Sequence, residues 1–205
     1  MNAASDIHER LRAFHARNLE YLRLGLDRIG AARLIVETGG DLRGPALDVG
    51  TGKGLLAIEL ARKGMSVVSV DVDGEEQEVA RFLAQEAGVG GRITFVHGDA
   101  AHLSCPDGSF GCVAMMDVLH HLNEPGPVLR EMARVLKHAG RIIVADFDEQ
   151  GFDLVAGVHR GEGRVHSRTA TTIERAMAEL EKAGCRSLGY SNLALHDVVV
   201  LVKER

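Results

Sequence analysis

Apolar positions along this chain change their period twice. From Ser5 to Glu37 they recur at helical spacing, through Leu11, Phe14, Leu19 and Leu22. That spacing predicts helix over 5–37, with Ser5 or Asp6 as its cap. Gly25 and Gly30 are the places where the helix would divide, and Gly39, Gly40 and Gly44-Pro45 mark the loop that follows.

Beyond that loop the pattern alternates. Short Val- and Ile-rich runs lie at 46–49, 66–72, 93–97, 112–119 and 141–147, with helical stretches at 54–63, 75–87 and 125–138. Strands alternating with crossover helices predict a parallel α/β sheet covered on both faces. Gly140 reads as the helix stop before the fifth strand. A polar loop is expected over 148–167, then a helix at about 169–183 capped by Thr169, Thr171 or Thr172. Two last strands, near 186–193 and 196–203, are joined around Leu195-His196. So short a link makes an antiparallel hairpin, because parallel strands need a long crossover. The expected architecture is therefore a seven-stranded, mostly parallel sheet with an antiparallel last strand.

Composition narrows the class. The 205 residues are 45% hydrophobic with a formal net charge of -5, which suits one globular domain with a full core. The mild acidity argues against nucleic acid as a partner. Aromatics are only 4% and Trp is absent, so no platform for stacking bases is expected. Cys105, Cys112 and Cys185 are three and far apart, which fits reduced thiols rather than disulfides or a Cys-rich zinc site. The start of the chain is charged and helical, and no apolar run approaches the ~20 residues needed to cross a bilayer. The expectation is a cytoplasmic protein without a membrane partner.

The stretch Leu47-Asp48-Val49-Gly50-Thr51-Gly52-Lys53-Gly54 carries the chemistry. An apolar run ends in an acid, a loop with glycine at every second position follows, and a helix begins at Leu55. A phosphate-cradling loop of the Gly-x-x-x-x-Gly-Lys-Ser/Thr kind fails here, because Gly54 follows Lys53 and Leu47 occupies the place of the first glycine. The dinucleotide fingerprint Gly-x-Gly-x-x-Gly has another spacing, and Asp48 would oppose a pyrophosphate. A nucleoside without phosphate removes that conflict, since Asp48 then suits a cationic amine. Asp71 ends the second run, where a carboxylate can accept from both ribose hydroxyls. Asp99, in Gly98-Asp99-Ala100, can accept from an exocyclic adenine amine. Asp117 lies at the fourth run. These acids fall at the carboxyl ends of successive strands, where open α/β sheets bind ligands. Asp73 reads as a helix cap, Lys53 as a solvent-facing side chain, and Asp48 and Asp117 also fit structural acids that cap turns.

These motifs, in this order, resemble the class I S-adenosylmethionine-dependent methyltransferases over about residues 43–147. The resemblance implies a Rossmann-like sheet with helices on both faces. It implies S-adenosyl-L-methionine as cofactor and S-adenosyl-L-homocysteine as product. Gly50, Thr51, Gly52 and Gly54 would pass under the methionine part, with Asp48 orienting it. Asp71 and Val72 would hold the ribose, Asp99 and Ala100 the adenine, and the Met116–Asp117 backbone would face the methionine amine.

The acceptor side is less determined. His120 and His121 follow Asp117 and are the candidate catalytic bases or acceptor contacts; packing under the cofactor is the other reading. His159, Arg160 and Arg164 in the 148–168 stretch, with Tyr21, are the candidate substrate residues, the arginines as grips for an anionic group. A flexible solvated loop is the other reading of that stretch. His159 and His166 with His120 or His121 match no zinc spacing, so no metal is assigned. Residues 1–40 read as a helical lid on a core of 41–205, with Phe14, His15 and Tyr21 lining it, or else as helices packed on the sheet or in a homodimer interface. The sequence reading is thus a one-domain methyltransferase acting on a small molecule. An inactive S-adenosylmethionine-binding partner subunit and a nicotinamide-dependent oxidoreductase stand as alternatives.

Overall fold

The structure, a computed structural model, describes residues 3–166 and 168–204. Helices α1 (Ala3–Arg23) and α2 (Arg28–Thr38) precede a repeating run: β1 (Ala46–Val49), α3 (Leu55–Arg62), β2 (Val67–Asp71), α4 (Gly74–Glu86), β3 (Ile93–His97), β4 (Phe110–Met116), α5 (Gly126–Val135) and β5 (Leu136–Phe147). Then come α6 (Glu149–Gly161), α7 (Ile173–Lys182), β6 (Cys185–Leu193) and β7 (His196–Lys203). The seven strands form one sheet in the order β3-β2-β1-β4-β5-β7-β6. All neighbours run parallel except β7, which is antiparallel to both β5 and β6. The order reverses between β1 and β4, so a crevice opens there beyond the carboxyl ends of the strands.

Alternation along each strand feeds two cores. Ala46, Cys112, Ala114, Ile143 and Ala145 point to one face, where Ala32, Ile35, Leu56, Leu60 and Val79 from α2–α4 cover them. Their neighbours Leu47, Val49, Val113, Met115, Ile142 and Val144 point to the other, under Leu129, Met132, Ala176 and Leu180 of α5 and α7. A smaller cluster joins Tyr21 and Leu26 to Phe147, Val155 and Val158. It ties the end of α1 to β5 and α6. No helix is long and apolar enough to cross a membrane among the described residues.

Several expectations need correction. The first helix already includes Ala3, so neither Ser5 nor Asp6 caps it, and it breaks at Gly25 alone. Gly30 lies inside α2, whose cap is Asp27, accepting from the Gly30 N–H at 2.9 Å. α5 stops at Val135 and β5 starts at once. Gly140 therefore sits in a strand, not at a helix end. The pairing of β4 with β5 slips between Phe110 and Cys112, and a side chain at Gly140 would meet the Lys137 and Gly111 carbonyls at 2.8 and 3.0 Å. The fourth run stops at Met116, where Asp117 turns to φ 59°, and Leu119–His121 form a short 3₁₀ turn. The 148–167 stretch is mostly helix. Asp148 caps α6 through the Gly151 N–H at 2.8 Å, and Phe152, Val155 and Val158 recur on its inner face. Three glycines, at 151, 157 and 161, dilute the helical signal there. α7 takes Thr172 as its cap, and Asp73 caps α4 by accepting from the Glu75 and Glu76 N–H groups.

Candidate functional site

The glycine loop is built by the end of β1 meeting β2. The N–H groups of Gly50 and Thr51 both donate to the Val70 carbonyl, at 2.9 and 3.3 Å. Gly50, Gly52 and Gly54 all have positive φ, at 80°, 47° and 78°. Two of them differ in what surrounds them. A Cβ on Gly50 would strike Val118 Cγ2 at 2.2 Å, so this glycine admits the β4 turn. A Cβ on Gly52 would meet nothing within 4 Å, so its bare backbone faces open space at the crevice.

Asp71 anchors that loop. Its carboxylate accepts from the Gly52 N–H at 2.8 Å and from the Asp73 N–H at 2.9 Å. Beside it, Val72 is 68% exposed. Asp48 is fully buried one strand over. Ser69 Oγ donates to its Oδ2 at 2.6 Å, and its Oδ1 has no partner among the described residues. Burial pushes its carboxyl up to about 7; the Ser69 hydrogen bond works against this, and the Asp71 charge adds to it. Thr51 does not turn toward the crevice. Its hydroxyl is shared with Ser69 at 2.6 Å and accepts from Gln77 Nε2 at 3.1 Å. Lys53, expected in solvent, pairs with Glu76 at 2.7 Å.

Farther along the rim, Asp99 is exposed and accepts from the Ala101 N–H at 2.8 Å, with His102 Nδ1 at 3.1 Å; these hold its carboxyl below the ordinary range. Ala100 beside it is half-buried. Met116 is buried at the end of β4. Asp117 is a structural node. His196 Nε2 lies 2.9 Å from its Oδ1 and Arg28 Nη2 donates to its Oδ2 at 3.2 Å. Burial opposes its charge, yet His196 and Arg28 together hold the carboxyl below its usual value. His196 moves up in return: Asp117 outweighs burial. This node holds a left-handed, non-glycine backbone in place.

Of the expected acceptor residues, His120 and His121 sit in the turn after β4, while Tyr21 is in α1 and His159, Arg160 and Arg164 lie at or just after the end of α6. His120 is buried. Its Nδ1 lies 2.6 Å from Asp146 Oδ1 and its backbone N–H donates to Asp146 Oδ2 at 2.7 Å. His121 is exposed beside it, with ring centroids 4.0 Å apart. Tyr21 is buried rather than lining an opening, and its hydroxyl lies 3.1 Å from His159 Nε2. Arg164 pairs with Glu162 at 3.3 Å, and Arg17 donates to the same carboxylate at 2.7 Å. Arg160 is exposed in the last turn of α6. Phe14 is buried in the core and His15 faces Glu86 at 4.0 Å, so neither lines the crevice. Sequence reasoning missed Asp146, Arg28 and His196. Asp146 lies one residue before the end of β5, much as Asp71 ends β2, and was there to be found. Arg28 lies 89 residues from Asp117 and carries no local signal.

Geometry and ancestry agree. Residues 47–144 match the family model described as a methyltransferase domain. Methyltransferase GfsG of Streptomyces halstedii is 37% identical over 142 residues, 67% of this chain and 51% of that protein. The 27-O-demethylrifamycin SV methyltransferase of Amycolatopsis mediterranei is 36% identical over 102 residues, 49% of this chain and 38% of that one. The chain thus spans about half or less of these relatives' length. The crystal structure of the PH0226 protein from Pyrococcus horikoshii OT3 superposes with a TM-score of 0.71 at 22% identity, covering 86% of this chain and 90% of that one. Residues 47–144 thus carry a methyltransferase domain, set in a seven-stranded sheet with the fold of that solved structure.

Proposed function

We propose that this protein transfers a methyl group from S-adenosyl-L-methionine to a small-molecule acceptor and leaves S-adenosyl-L-homocysteine. The observation that carries this reading is the pairing of Gly52, bare and open, with the buried, half-partnered Asp48 beneath the same loop. An orphaned carboxylate oxygen fits a cationic amine and disfavours a pyrophosphate, which argues against the nicotinamide alternative. When bound, the donor brings a methyl carbon already activated by a positive sulfur. The chain's own residues do the rest. Gly50, Gly52 and Gly54 admit the methionine part against main chain. Asp71, already fixed by two N–H groups, keeps lone pairs for the ribose hydroxyls, with Val72 beside it. Asp99 and Ala100 take the adenine edge, and the Met116–Asp117 backbone faces the amine.

His120 and His121 stand on the acceptor side, together with His159, Arg160 and Arg164 around the end of α6; buried Tyr21 acts there only through His159. Residues 1–40 act as a lid on a core of 41–205 within one domain. The ties from Arg17 to Glu162 and from Tyr21 to His159 support that role. The small-molecule class rests on the relative whose name specifies a rifamycin. Three free cysteines fit a cytoplasmic setting.

The test is turnover of labelled donor against a panel of hydroxylated and aminated metabolites, scored as S-adenosyl-L-homocysteine. Formation of product with one acceptor class is expected. Tight donor binding with no turnover on any acceptor would move the assignment to a partner subunit. Nicotinamide binding without donor binding would overturn it.

A further inference from the structure

We infer that His120, His121 and His166 form a binding site for a divalent first-row transition metal, zinc foremost. One ring nitrogen from each of the three lies within 4.8 Å of the others. The ring centroids are 4.0, 5.0 and 5.5 Å apart for the pairs 120–121, 120–166 and 121–166. The site joins the turn after β4 to the segment after α6, which is why no spacing in the sequence announces it.

Two observations point to a cation rather than to packed rings. First, the Nε2 atoms of His120 and His166 are both buried without a hydrogen-bond partner among the described residues. Leaving such groups unmet is unfavourable, and one metal ion answers both. Second, Asp146 holds His120 from behind, 2.6 Å from Nδ1. A carboxylate on the far nitrogen fixes the tautomer and aims Nε2 outward, the arrangement found behind metal-bound imidazoles.

The donor set selects the ion. Three imidazoles suit zinc, cobalt, nickel or copper, whereas magnesium and calcium need oxygen ligands. Three protein ligands also leave a fourth position open, the pattern of reactive rather than structural zinc. Phe147 and Phe152 pack on His120, with centroids 5.8 and 5.9 Å away, and screen that side from water. His159 stands next to His166 but is engaged by Tyr21. The site stands on this geometry alone, whether or not methyl transfer is the activity.

The test is titration of metal-stripped full-length protein with cobalt(II), read by its visible ligand-field bands, and with zinc, read by calorimetry. One equivalent is expected, with tetrahedral cobalt bands that zinc displaces. His121→Ala, at an exposed position, and His166→Ala each abolish the bands while circular dichroism stays unchanged. Asp146→Asn keeps the bands and weakens affinity roughly 10–100-fold. His102→Ala, remote and paired with exposed Asp99, leaves binding intact. Absence of the bands in the parent protein overturns the site. So does cobalt binding that survives the His121→Ala/His166→Ala double variant or disappears with His102→Ala.

Discussion

Asp48 is a carboxylate that its surroundings only half accommodate, and its titration should be visible in the stability of the whole chain. In the unfolded chain an aspartate titrates near 3.9; in the fold, burial lifts Asp48 to about 7. The folded state therefore holds the proton more tightly. Its contribution is complete below about pH 4 and is lost as pH rises to about 7, at about 1.4 kcal/mol for each pH step between those two values. Asp48→Asn, a neutral near-isostere, removes the loss. Urea melts should show the variant gaining on the parent between about pH 4 and pH 7, and an unchanging difference would mean an ordinary carboxyl. Asp71 makes a different prediction. Asp71→Ala should weaken S-adenosyl-L-homocysteine binding by about 1.5–3 kcal/mol, the scale of hydrogen bonds to a charged group. Calorimetric titration measures it, and unchanged affinity would remove Asp71 from the ribose site. The glycines separate folding from binding. Gly50→Ala drives a methyl into Val118 and should lower the melting temperature most, whereas Gly52→Ala meets open space, carries only the strain of its left-handed backbone and should reduce donor affinity as well.

At the scale of elements, α1 behaves as a strap. Its early apolar residues Ile7, Leu11 and Phe14 join the core under α4, and its end reaches α6 through Arg17 and Tyr21. Twenty-one residues at 1.5 Å each give about 32 Å, enough to cross the carboxyl rim of several strands. The Arg17–Glu162 pair is partly exposed, so Arg17→Ala should cost under about 1 kcal/mol in global stability. Its effect should be local instead: faster amide exchange at the end of α1, with the sheet unchanged. Equal loss of protection in β4 and β5 would mean that the end of α1 opens only together with the sheet. The strands were legible because each buried run is short, β-branched and followed by a helix cap or glycine. α6 was not, because three glycines hide the Phe152-Val155-Val158 face and only packing against Tyr21 and Phe147 makes it a helix. The acids at strand ends were legible as a set, but their partners were not. Asp117 is met by Arg28 and His196, and His120 by Asp146 and His166, across separations that local periodicity does not encode.

For the whole molecule, in the proposed reading the crevice divides at the switch point between β1 and β4 into a donor half and an acceptor half. The donor half is preformed: loop, Asp71 and the Asp73 cap already hold one another by hydrogen bonds. The acceptor half depends on segments far apart in sequence, namely α1, the turn after β4 and the region of α6. Ligand linkage should expose this asymmetry. Saturation with S-adenosyl-L-homocysteine at about 100 times its dissociation constant adds about 2.7 kcal/mol to stability. For a chain of this size that raises the melting temperature by roughly 5–10 °C. Hydrogen exchange tells where the gain is placed. Protection should rise at Gly50–Gly54, Asp71 and Asp99 in every case, since these residues would touch the ligand. It should rise in α1 as well only if residues 1–40 close over the bound donor. A melting shift with protection confined to the glycine loop and the two acid-bearing strand ends would keep the donor site and remove the lid, leaving α1 as a brace between α4 and α6. Protection that reaches the last turns of α1 and the Tyr21–His159 contact would make the two halves one closing unit, because that contact is where the strap meets the histidines.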